Sequence, residues 1–132
     1  MDLNLLFASS SIYLALSGLG ILISPTTMLA GALDPKALVV IDALRGLGGA
    51  ILGIAIINWM ARNSKATKVR DGIVLGNMLG FVFATVFSIL SRLHGYPAFG
   101  WVFIVLNLLL TIGFFMAGKA SMSASAASRA GQ

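Results

Sequence analysis

Four long apolar stretches organise the chain, separated by short polar or turn-forming ones. Each runs to roughly 20 residues, the length that crosses a bilayer as a helix. The pattern predicts helices over residues 3–24, 36–60, 72–90 and 101–118, in one all-α, four-transmembrane-helix bundle. The first ends at Ser24-Pro25, because the residue before a proline is pushed out of helical geometry. The stretch after it (TTMLAGAL) is mildly apolar and suits the interface. Asp34-Pro35 reads as a restart, with Asp34 as N-cap and Pro35 in the first helical position. ARNSKATKVRD is strongly polar and joins the second and third spans; SRLHGYPAFG is a short turn before the fourth. Residues 119–132, small and polar, are expected to form a disordered tail. The start MDLNLLF lacks the basic region of a signal peptide, so the first span reads as retained.

Composition strengthens the membrane reading. Of 132 residues, 58% are hydrophobic and 10% charged, against roughly 25% charged in a soluble domain. The spans use nearly the whole length, leaving no room for a second domain. The absence of cysteine excludes disulfides, thiolate metal sites and iron–sulfur ligation. A single histidine, His94, excludes bis-histidine haem ligation within one chain and argues against a multi-histidine metal site. No intrinsic cofactor and no metal site are expected; lipid and quinone remain as candidate ligands.

The net charge of +5 reflects topology rather than nucleic-acid binding. Arg62, Lys65, Lys68, Arg70, Lys119 and Arg129 fall on one side of the membrane, Lys36 and Arg92 on the other. The excess puts both termini and the middle loop in the cytoplasm. Trp59, Tyr96 and Trp101 fit interfacial anchors.

Small residues let membrane helices approach closely. The third span places Gly72, Gly76, Gly80, Ala84 and Ser88 four apart, along one stripe. The second carries Gly49 and Gly53, with Gly46 and Ala50 beside them; the first has Ser11, Ala15 and Gly18. The fourth offers Gly113 and Ala117. The expectation is that the first three spans pack tightly through Gly46, Gly49, Gly53, Gly72, Gly76 and Gly80, with the fourth more lipid-facing. The same stripes suit a homo-oligomer interface.

The candidate chemistry centres on Asp42 and Arg45, two charges three residues apart in an apolar span. Intramembrane charges are costly, usually paired and often functional. Matching depths along the spans brings Asn107, Ser17 and Ser88 to a similar level, with Arg92 and His94 at the outer rim. Together they form a candidate outward-facing ligand pocket; the plainer alternative is a packing lock within one helix. Arg45 would meet an anionic head group, a carboxylate or a quinone oxygen. Asn58, Asn77, Ser9 and Ser10 form a second polar level near the other side, where the two asparagines can hydrogen-bond across a helix pair.

The stretch DALRGLGGAILGIAII resembles the second helix of DoxX-like and related small bacterial membrane proteins, which show an arginine leading into a glycine-rich helix. The resemblance implies a four-helix protein of the bacterial inner (cytoplasmic) membrane. For DoxX itself it implies a subunit linked to quinol oxidation, with any redox cofactor held by a partner. The expected function is a non-enzymatic accessory subunit or a lipid- or quinone-binding bundle, with membrane lipids, a larger membrane complex or further copies as partners. No catalytic residue is assigned, because general acid–base work needs two tuned groups in reach and only Asp42 and His94 offer themselves. The alternative is a small oligomeric transporter or channel.

Overall fold

A computed structural model describes residues 2–28, 38–65, 67–93 and 101–130, with side-chain surroundings through Ala120 and at Ser123 and Ala126. The elements are α1 (Leu3–Ile23), α2 (Pro25–Met28), α3 (Leu38–Ala61), α4 (Lys68–Leu93) and α5 (Trp101–Ala130). Four of the described helices are long and apolar enough to cross a membrane, with mean hydropathies of 1.9 to 2.2. Large side chains such as Leu5, Leu16, Ile56, Met60, Phe83, Phe87, Leu109 and Phe115 stand exposed around the outside. That surface suits acyl chains and not water. The chain is a multi-span, all-α membrane bundle.

Local chemistry sets several ends. Asp2 caps α1, its carboxylate accepting from the Asn4 N–H at 2.9 Å. Ser24 stops it, and Pro25 opens the single turn of α2, which folds Met28 back against Gly20. The expected cap at Asp34-Pro35 lies outside the described residues. At the other end of the chain the expected disordered tail is instead helix as far as Ala130. Alanine, the best helix former, recurs through it, and the Ser123 hydroxyl donates back to the Lys119 carbonyl at 2.9 Å.

The bundle is two antiparallel helix pairs. α1 packs closely on α3, and α4 on α5, whereas α3 and α4 touch little although a short loop joins them. The α1–α3 seam is built on small residues. Ser11 donates to the Ala55 carbonyl at 2.6 Å. Farther along, Gly18 meets Gly48 backbone to backbone: a Cβ on Gly48 would lie 2.8 Å from both the Gly18 oxygen and the Leu22 nitrogen. Ile41, Gly48 and Ala55, buried at every seventh residue, mark this as coiled-coil-like packing.

This corrects the expected packing scheme. A Cβ on Gly46, Gly49, Gly53, Gly72, Gly76 or Gly80 would meet nothing within 4 Å. The buried face of α4 is Val74, Asn77, Phe81, Thr85 and Ser88, one residue round from the glycines. Of the four spans, α5 is the most buried, with 39% of its apolar window inside, and α3 the least, with 17%. Aromatic contacts draw α5 in, beside the buried small residues Gly113, Ala117 and Gly118. Phe114, fully buried, meets Phe7 edge-on at 5.4 Å and stacks on Phe81 at 6.0 Å. With Leu3, Leu6, Ala61, Val74, Leu110 and Ala117 these rings form the core, at the end of the bundle that carries the basic loop.

Candidate ligand cavity

Because α3 and α4 splay apart, the bundle encloses a cavity of about 580 Å³. Side chains of α1, α3, α4 and α5 line it, with Met28 of α2. Its lining residues Ile54, Ile57 and Phe87 are themselves exposed. They belong to α3 and α4, so the cavity opens sideways between those helices. At the basic end the aromatic core closes it. Gly76, Gly80 and Ala84 form part of the wall. Small residues there leave room for something other than a helix.

Two polar clusters face this space. At the closed end Asn58 and Asn77 exchange two amide hydrogen bonds, each 2.7 Å, across the α3–α4 gap. Asn58 also donates to Ser10 Oγ at 3.1 Å, and Asn77 to the Ile73 carbonyl at 2.9 Å. Asn58 and Ser10 are fully buried, so this cluster is a saturated strap. The second cluster spans α1 and α5. Tyr13 donates its hydroxyl to Asn107 Oδ1 at 3.1 Å. The Asn107 amide nitrogen donates no hydrogen bond among the described residues, although the residue is only 4% exposed. Ser17 and Ser88 line the same cavity. The phenol is wedged among rings, with Phe81 at 6.2 Å and Phe103 at 6.3 Å.

The structure thus brings together three of the residues singled out from the sequence, Ser17, Ser88 and Asn107. It does not bring the charged ones to them. Asp42 and Arg45 pair with each other at 3.1 Å on the outer face of α3, their side chains 73% and 50% exposed, and neither lines the cavity. Asp42 lies about 6 Å along α3 from Leu38, the first described residue of that helix. Arg92 is exposed and lies over the Trp101 ring at 5.8 Å. His94 lies outside the described residues. Sequence reasoning missed Tyr13 as a site residue; its signal was a lone phenol within an apolar span, where a buried hydroxyl requires a partner.

At the basic end Arg62 lies over the Trp59 ring at 3.4 Å, and Arg70 donates to Asn4 Oδ1 at 2.7 Å beside Phe7. These contacts anchor basic side chains where the helices leave the apolar zone. No group of three or more metal-ligating side chains occurs among the described residues.

Fold and cavity together define a small membrane protein whose described residues include four membrane-length helices, with a chamber that opens between α3 and α4. Comparison with protein-family models, curated proteins and solved structures gives no match.

Proposed function

We propose that this protein is a non-enzymatic membrane bundle that binds a lipid or a quinone between its two helix pairs. One observation carries the reading: an apolar chamber of about 580 Å³ with a few polar groups inside it and a side opening. Binding sites for small molecules have this character, with volumes of roughly 300–1,000 Å³ and a few placed polar groups. A pore is the weaker reading, because the Phe7–Phe81–Phe114 core closes the basic end of the chamber. The gathering of Arg62, Lys65, Lys68 and Arg70 at that end supports a cytoplasmic placement of both termini and the middle loop. The arginine-led, glycine-rich α3 supports a DoxX-like setting in the bacterial inner membrane, with a larger complex or further copies as partners. In that setting Asp42 and Arg45 serve as an anchor at head-group level.

The test fills the chamber. Leucines at Gly76 and Gly80 project into open space, so the double variant Gly76→Leu/Gly80→Leu is expected to fold. Purified in mild detergent, it should retain less lipid or quinone per chain than the parent, read by mass spectrometry of extracts. An unchanged complement in a folded variant overturns the reading.

A further inference from the structure

We infer that the chamber selects an uncharged amphiphile whose head is a flat, carbonyl-bearing ring, and that Asn107 reads that head. The inference rests on the binding reading above and narrows it.

The chamber has two chemically different regions. One is lined by Ile54 and Ile57 of α3 and Ile73 of α4, beside Asn58 and Asn77, whose amides are taken up by each other. The other is aromatic and polar: Tyr13 and Phe103 stand 6.3 Å apart, Tyr13 and Phe81 6.2 Å apart, with Asn107, Ser17 and Ser88 on the same lining. An apolar chain suits the first and a ring the second, since aromatic side chains favour stacked or edge-on contact with another ring.

The hydrogen-bonding capacity has a direction. Tyr13 occupies the Asn107 carboxamide oxygen, which leaves the amide nitrogen as a donor on a residue 4% exposed. Ser88, also 4% exposed, donates no hydrogen bond among the described residues. Both residues line the chamber, so their donors are offered to a guest with an acceptor, and a ring carbonyl is one. The described lining includes no charged side chain. An ionised phosphate placed there would lose its hydration with no cation to replace it, a large penalty. A neutral carbonyl head loses little and gains the donors. The Asp42–Arg45 pair does not alter this, being outside the lining.

The experiment measures equilibrium binding in mild detergent with two probes, decylubiquinone and dioleoyl phosphatidylglycerol. The expected result is saturable binding of the quinone, weakened about tenfold by Asn107→Leu, the loss of one hydrogen bond from a buried amide. Gly80→Leu should abolish it and Gly46→Leu, outside the chamber, should leave it unchanged. If Asn107→Leu does not fold, Ser17→Ala/Ser88→Ala supplies the same reading, with weakened quinone binding expected. Phosphatidylglycerol bound in preference to quinone and lost with Gly80→Leu overturns the neutral-head inference while leaving the binding reading intact. Quinone binding indifferent to Asn107 or to the serine pair also overturns it. Failure of both probes to bind overturns both proposals.

Discussion

At the scale of single residues, glycines carry opposite consequences depending on the face they occupy. Gly48 has the backbone of Gly18 and Leu22 against it, and α1 cannot retreat without opening the seam. Gly49, its neighbour, has nothing within 4 Å of a built Cβ. Gly48→Ala should therefore destabilise the bundle by about 1–3 kcal/mol, the usual cost of overpacking. Gly49→Ala should be neutral or stabilising by up to about 1 kcal/mol, through helix propensity alone. Denaturation midpoints in detergent decide the matter; equal losses at both positions would mean that α3 is rotated from the face described. The sequence revealed that glycines cluster in α3 but not which one touches a helix. Gly46, Gly49 and Gly53 share one face of the helix, with Gly48 roughly 100° or more round from it, so small-residue spacing pointed to the face with more glycines while the helix packs through the lone one. Asp42 and Arg45 misled for a related reason. Spacing makes them neighbours on one face, but only the exposure of both side chains shows that this face turns away from the chamber.

At the scale of elements, the splayed α3–α4 pair depends on one polar contact. The reciprocal Asn58–Asn77 bonds cross a gap that few other side chains bridge. Asn58→Leu leaves Asn77 with its backbone contact only, and should cost about 1–2 kcal/mol, in line with polar contacts between membrane helices. The double variant Asn58→Leu/Asn77→Leu should regain part of that loss, since removing both partners leaves no orphaned amide. A double-mutant cycle on unfolding free energies measures the coupling, and strictly additive losses would deny the pair its role as a strap. This contact was legible in the sequence, because depth matching set Asn58 and Asn77 at one level across adjoining spans. The burial of α5 was not. Its anchors are Phe7, Phe81 and Phe114, one ring from each of three helices, and apolar residues in a membrane span give no hint of which way they face.

At the scale of the whole molecule, the four spans followed directly from length and hydropathy, while the chamber between them did not. A cavity arises from how helix pairs diverge, and divergence depends on side-chain volumes meeting across helices. Five of its polar residues, Ser17, Asn58, Asn77, Ser88 and Asn107, were found by depth alone; Tyr13, hidden among aromatics, was not. The proposed orientation is testable because the chain has no cysteine of its own. A single cysteine at the exposed Asn63, in the basic loop, should react with a membrane-impermeant maleimide in inside-out vesicles and stay protected in right-side-out ones. The opposite pattern reverses the orientation.

The side opening between α3 and α4 changes what affinity means for this protein. A guest that arrives through Ile54, Ile57 and Phe87 comes from a two-dimensional solvent in which it is already concentrated. Occupancy then follows the guest's mole fraction among the surrounding lipids and not its vanishing level in water. A weak site suffices under those conditions, and the sparing use of polar groups in the chamber is consistent with rapid exchange rather than permanent capture.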